Sequence, residues 1–419
     1  MCLFQNNTEA LEITDKTLFL LGNGCSMEYG FPAGDKLLLE CFNLIQKYRY
    51  SDNYFIHNLY TKLFSFLGHL SDLRELLIAG NIDGLHVPYY SKTLELACEP
   101  ELCSNRRNRL HYYADTTNCL NCADSKIDGI NEITFKESSY KHILCKEIND
   151  FLNNLKVWEL FSELSAKYYD KEIYGQGNLE WKRNNIRVAY DGLAKILTDT
   201  LFFYYKHKST CNAFFEFIHN LKQFRGIIIN LNYDLLLEES LPSNKLFKVI
   251  KPHGSFDLLY YKGAPYPHWK TINTPNDNIY QLTSQKNILE FMSGQYLANA
   301  IPLNISYADI KTHSSIPNTY QAKFIREYTK PIVEDLEKSI KKYDKVVTIG
   351  YSFSETWDKK GLIDKHIIEP LLSKKIYVVG KGNTKDIVDR VKKYYKKAQI
   401  LHTDFNGFGN YARQIKYYK

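Results

Sequence analysis

Residues 17–32 read Thr17-Leu18-Phe19-Leu20-Leu21-Gly22-Asn23-Gly24-Cys25-Ser26-Met27-Glu28-Tyr29-Gly30-Phe31-Pro32. Five largely apolar residues end abruptly in Gly-Asn-Gly, the pattern of a buried strand running into a tight turn. Leu38, Phe42 and Ile45 then recur at helical spacing, so a helix follows and the stretch opens a βα unit. Gly22 and Gly24 allow a sharp bend and the close approach of a phosphate, with Cys25 and Ser26 entering the helix beyond. The spacing is neither Gly-x-Gly-x-x-Gly nor a Walker loop, since no Gly-Lys-Ser/Thr follows. Taken alone, an ordinary strand-to-helix turn explains it equally well.

Three later strand ends carry polar residues of the same kind. Ile228–Leu231 runs into Asn232-Tyr233-Asp234. Side chains two apart in a strand share a side, so Asn232 and Asp234 can both face a cleft at the carboxyl ends of the strands. The other reading of Asp234 is a cap for a helix starting at Leu235. Lys251-Pro252 leads into His253-Gly254-Ser255. With an ordinary pKa of about 6.5, histidine suits proton transfer near neutral pH, although a single histidine is more often structural. Val346–Ile349 ends in Gly350-Tyr351-Ser352, and Ile376–Val379 ends in Gly380-Lys381-Gly382. Plain turns account for these last two without any ligand.

Strands are expected at Thr17–Leu21, Gly226–Leu231, Phe247–Lys251, Lys345–Ile349, Lys375–Val379 and Gln399–Leu401. Helical periodicity lies between them, notably at Phe324–Lys342 and Thr384–Lys397. Alternating strands and helices predict an α/β fold: a Rossmann-type, doubly wound parallel sheet. From 51 to 224 the periodicity is helical, at Phe55–Leu70, Tyr140–Phe161, Ile186–Lys206 and Asn212–Phe224. The expected organisation is a nucleotide-binding domain from 1–50 and 225–419, split by a large helical insertion over 51–224. Residues 258–315, rich in Tyr, Asn and Pro, suggest a small lobe.

The 419 residues are 44% hydrophobic, enough for a large core, and carry a formal charge of +7. A mildly basic balance suits an anionic nucleotide and does not by itself indicate nucleic acid. The Lys374–Lys397 region reads as a solvated helix face, and no nucleic-acid motif accompanies Arg106–Arg109. No signal peptide or membrane span is apparent, and nine cysteines without a scaffold pattern fit a reducing, cytoplasmic setting. Cys98, Cys103, Cys119 and Cys122 have spacings that admit a zinc site, with buried thiols as the other reading.

The order of these motifs resembles the sirtuin-like fold, and within it the NAD-hydrolase domains of bacterial antiphage defence proteins. Sirtuin-like proteins carry Gly-Ala-Gly-x-Ser and then Gly-Ile-Pro; this chain has Gly22-Asn23-Gly24-Cys25-Ser26 and Gly30-Phe31-Pro32. The family's deacetylases continue with Asp-Phe-Arg, whereas this chain continues Ala33-Gly34-Asp35. The resemblance covers roughly 15–50 and 225–410. It implies hydrolysis of NAD, the substrate, to nicotinamide and ADP-ribose in abortive defence. It further implies Asn232 and His253 as catalytic residues. Gly22, Asn23, Gly24, Cys25, Ser26, Pro32, Tyr233, Asp234, Gly254, Ser255, Gly350, Ser352 and Gly380 are expected to line the nucleotide. A homo-oligomer, a regulatory partner or a phage-derived activator is expected to control the activity. The rivals are an NAD-dependent deacylase or ADP-ribosyl transferase, and a non-catalytic NAD or ADP-ribose sensor.

Overall fold

In the computed structural model, the described residues are 12–48, 54–73, 148–155, 157, 160, 164, 180–208, 212–255, 257–260, 269–271, 279–282, 301–302, 330–353, 363–381, 384–394, 400–404 and 407–417. The chain divides into two compact units, Met1–Ala33 with Leu201–Lys419, and Gly34–Thr200.

The first unit is built on six parallel strands: β1 (Thr17–Leu21), β2 (Ile227–Asn230), β3 (Lys248–Ile250), β4 (Lys345–Ile349), β5 (Lys375–Gly380) and β6 (Ile400–Asp404). Their spatial order is β3-β2-β1-β4-β5-β6. That is the Rossmann-type order, in which the chain winds outward in both directions from a central pair. All five residues of β1 are buried, as are all four of β2. Strands covered on both faces read as unbroken apolar runs, which is why these segments show no alternation.

The faces are nonetheless distinct. Leu18 and Leu20 pack with Ile229, Val346, Val378 and the helical residues Leu336, Ile367 and Ile368. Phe19 points the other way. Its ring meets Phe217 at 5.2 Å and Phe224 at 5.4 Å, both edge-on. A fully buried phenylalanine of this kind, cut back to alanine, costs about 3–5 kcal/mol.

Among the described residues the helices include, in chain order, α1 (Gly24–Met27), α2 (Leu37–Tyr48), α3 (Tyr54–Asp72), α4 (Glu180–Lys206), α5 (Asn212–Asn220), α6 (Leu236–Glu239), α7 (Lys330–Ser339), α8 (Ile363–Leu371), α9 (Thr384–Tyr394) and α10 (Phe408–Gln414). The second unit holds α2, α3 and α4 up to Thr200, and its described residues form only helices and turns. In α3, Leu59, Leu63, Phe66, Leu67 and Leu70 are buried at helical spacing. Lys62 pairs with the buried Asp199, and burial raises the Asp199 carboxyl while Lys62 opposes the shift.

Residues Leu258–Tyr260, Trp269–Thr271, Ile279–Leu282 and Ile301–Pro302 form a four-stranded antiparallel sheet, within the stretch read as a small lobe. Glu12–Ile13 pairs in parallel with Lys416–Tyr417. Among the described residues no helix is long and apolar enough to cross a membrane.

Candidate functional site

Register sets the site. Leu21 lies opposite Asn230 on one side and Ile349 on the other, and Ile349 lies opposite Val379. The turns after β1, β2, β4 and β5 therefore leave the sheet along one edge. Between β1 and β4 the winding direction reverses, and open α/β sheets bind ligands in the crevice at that switch point.

The two turns at the switch point are pressed together. The amide of Gly22 donates to the Ile349 carbonyl at 2.8 Å, and that of Gly24 to the Gly350 carbonyl at 2.8 Å. A Cβ on Gly22 would lie 2.6 Å from Tyr351 Cα, and one on Gly24 2.7 Å from Gly350 Cα. Gly350 has φ +63°, and its Cβ would lie 2.5 Å from the Cys25 nitrogen. Backbone approach between two turns thus accounts for all three glycines. The amides of Cys25 and Ser26 also donate within the turn, to the carbonyls of Gly22 and Asn23. The turn's shape is fixed from within the protein.

Side chains finish this closure. Asn23 Nδ2 donates to the Pro32 carbonyl at 2.9 Å, tying the two ends of the Gly-x-Gly to Gly-Phe-Pro segment. Asn232 Nδ2 donates to the Gly22 carbonyl and to Ser26 Oγ, both at 3.1 Å. Ser26 Oγ in turn donates to Asp234 Oδ2 at 2.5 Å. Asp234 Oδ1 accepts from the Leu236 amide at 3.0 Å, so Asp234 both supports the start of α6 and holds Ser26. Both amide hydrogens of Asn232 are engaged, leaving Oδ1 as the atom with which it would meet a ligand.

Lys251 is buried beside this group. Its Nζ donates to the Asp234 carbonyl at 2.5 Å and lies 3.3 Å from Glu238 Oε2. Burial pushes the Glu238 carboxyl up, against the pull of Lys251. Cys25 Sγ reaches the Ile349 carbonyl at 3.2 Å. Burial, then the negative charges of Asp234 and Glu28, drive its thiol well above the usual range. It is a packing residue, unsuited to act as a thiolate.

His253 follows β3, with Gly254 next to it at φ +76°. Its Nε2 lies 2.5 Å from Asp364 Oδ1, and both side chains are buried. Tyr351, from the turn after β4, donates its hydroxyl to Asp364 Oδ2 at 2.9 Å. The Tyr233 ring stands 6.1 Å from the imidazole. Ser255 donates to Asp257 in the following turn.

The structure therefore gathers Gly22, Asn23, Gly24, Cys25, Ser26, Asn232, Asp234 and Gly350 into one bonded group. His253 and Tyr233 form a second group, joined to the β4 turn through Asp364. Ser352 is exposed on that turn. Gly380 ends β5 opposite Asp404, with no bond to either group. Cys98, Cys103, Cys119 and Cys122 lie outside the described residues. Among the described residues no group of His, Cys, Asp and Glu is arranged to hold a metal.

Sequence reasoning missed Asp364, Tyr351 and Lys251. Tyr351 and Lys251 stand inside motifs already singled out, as neighbours of Gly350 and His253. Asp364 has no local signal at all, since its partner is 111 residues away.

No protein-family model matches the chain, and no curated protein matches it. The arrangement itself offers a carboxamide oxygen, a buried imidazole backed by a carboxylate, and a tightly closed turn, all beside one switch point.

Proposed function

We propose that this protein is an NAD hydrolase that cleaves NAD to nicotinamide and ADP-ribose. One observation carries the reading. Asn232, after β2, bonds to the turn after β1. His253, after β3, is joined through Asp364 to the turn after β4. The two polar groups that N-glycosidic cleavage needs are thus tied to the two turns that meet where a Rossmann-type sheet takes a dinucleotide.

The chemistry asks little of the protein beyond position. As the bond between ribose and nicotinamide breaks, its electron pair leaves with the pyridinium nitrogen and the sugar becomes oxocarbenium-like. Asn232 Oδ1 holds the ribose or the attacking water. His253 accepts the proton that water loses as it bonds to the sugar. The likeness of the motif order to sirtuin-like NAD-hydrolase domains supports a role for such an activity in abortive antiphage defence. There, depletion of NAD has to await a trigger, a homo-oligomer or a partner.

A sensor that binds NAD or ADP-ribose without cleaving it is the second reading. The internal use of Asn232 and Asp234 favours it, because their bonds already shape the turn. Incubation of the purified protein with NAD, with chromatography of nicotinamide and ADP-ribose, separates the two. The hydrolase releases both products, and His253→Ala abolishes the release. A sensor binds NAD, releases nothing and keeps its affinity in His253→Ala.

A further inference from the structure

We propose that Asp364 is a positioning residue that fixes the tautomer and orientation of His253, with Tyr351 as the brace that fixes Asp364 in turn; its catalytic consequence rests on the hydrolase reading. Asp364 lies in the first turn of α8, where an acidic residue often does no more than complement the helix dipole. Its surroundings ask for more. The carboxylate is almost wholly buried, and each oxygen has its own partner: Oδ1 faces His253 Nε2 at 2.5 Å, and Oδ2 accepts from the Tyr351 hydroxyl at 2.9 Å. Burying a charge is costly unless it is paired and hydrogen-bonded, so such a pair persists only where both bonds form.

The chemistry of the pair assigns the protons. An ionised carboxylate can only accept, so Nε2 carries the hydrogen and Nδ1 is the ring nitrogen that exchanges a proton. When water attacks the ribose carbon, its O–H bond breaks and an Nδ1–H bond forms. The electron pair of the broken glycosidic bond departs with neutral nicotinamide. The imidazolium that results is balanced by Asp364 and passes its proton to solvent.

Tyr351 gives the pair its place. Its Cα is the atom that a side chain at Gly22 would strike. The ring of His253 is thereby referenced, through Asp364 and Tyr351, to the same backbone that closes the glycine turn.

Protein labelled with nitrogen-15 in histidine gives a direct test, with His253 assigned by comparison with His253→Ala. The nitrogen shifts of wild type should report the Nε2–H tautomer. In Asp364→Asn the amide can donate to Nε2, and His253 should switch to Nδ1–H. In Tyr351→Phe the wild-type tautomer should persist with faster exchange of the Nε2 proton. NAD turnover then reads the consequence: kcat of Asp364→Asn should fall roughly 10²- to 10⁴-fold with KM nearly unchanged, as when a carboxylate that orients a histidine is replaced. Asp364→Glu should recover part of that loss. An unchanged tautomer in Asp364→Asn overturns the proposal, as does a switched tautomer with undiminished kcat. If wild type cleaves no NAD, the hydrolase reading fails, while the tautomer measurement still decides whether Asp364 positions His253. If Asp364→Asn does not fold, Tyr351→Phe carries the test, and Nε2 exchange no faster than in wild type overturns the proposal.

Discussion

Ser26 and Asp234 stand 208 residues apart in sequence and 2.5 Å apart in space, hydroxyl to carboxylate. The bond joins the turn after β1 to the turn after β2, and Asn232 donates to the same hydroxyl. Replacing Ser26 with alanine strands a buried carboxylate oxygen and a buried amide hydrogen together. The expected loss is about 1–3 kcal/mol of stability, read as a lower melting midpoint of the first unit. A midpoint equal to that of wild type would mean that the Ser26–Asp234 bond adds nothing to the hold that the Asn232–Gly22 bond already gives.

Gly350 is the least replaceable residue of the site. It has φ +63°, and a Cβ there would stand 2.5 Å from one backbone nitrogen and 2.7 Å from a second residue's backbone. Neither neighbour is a flexible side chain. Gly350→Ala is expected to cost more than about 2 kcal/mol, from strain and overpacking together. It should also abolish NAD binding measured by calorimetry. Gly30 makes the contrast: it has φ +86° but nothing within 4 Å of its Cβ position. Gly30→Ala therefore costs only the backbone strain, about 1–2 kcal/mol, and should still bind.

Glu28 caps a helix from the far end of the chain. Its Oε1 accepts from the Phe408 amide at 2.6 Å, and its Oε2 from the Gly409 amide at 3.0 Å. Gly407, at the N-cap of α10, supplies no side chain for that task. Glu28→Ala should therefore loosen α10 by about 1 kcal/mol. Hydrogen exchange should quicken at Phe408 and Gly409 while the amides of β1 keep their protection. Uniform loss of protection across the sheet would assign Glu28 a wider role.

The thiols of Cys25 and Cys41 should stay unmodified in the native protein. Both are fully buried, and desolvation is the main cause that raises each thiol well above its ordinary range. A maleimide added at pH 8, followed by peptide mass spectrometry, should label neither until denaturant is present. Prompt labelling of Cys25 would show that the glycine turn opens in solution.

The sheet was legible because its strands are short apolar runs with polar residues at their ends. Thr17–Leu21 and Lys345–Ile349 have the same bounds in sequence and structure. Two features hid from the same logic. Helix α8 carries Pro370 inside it, a residue that ordinarily stops a helix and so masks the helical spacing of Ile363, Ile367, Ile368 and Leu371. The antiparallel strands between Leu258 and Pro302 are only two to four residues long, too short for alternation to register. At the site, Asn232, Asp234 and His253 were legible as polar residues at strand ends. The reason for the glycines was not: they serve contact between two turns, and that contact depends on β1 and β4 being neighbours. Asp364 belongs to the same class, since its role exists only once α8 brings it to the end of β3.

The sharpest test of the account is the fate of oxygen during turnover. NAD is incubated with the protein in water enriched in heavy oxygen, and the products are weighed by mass spectrometry. Hydrolysis at the site described here yields nicotinamide and ADP-ribose in equal amounts. One heavy oxygen should sit on the ribose carbon that bore nicotinamide, and His253→Ala should release neither product. ADP-ribose without the label, ADP-ribose bound to protein, or equal turnover in His253→Ala would contradict it.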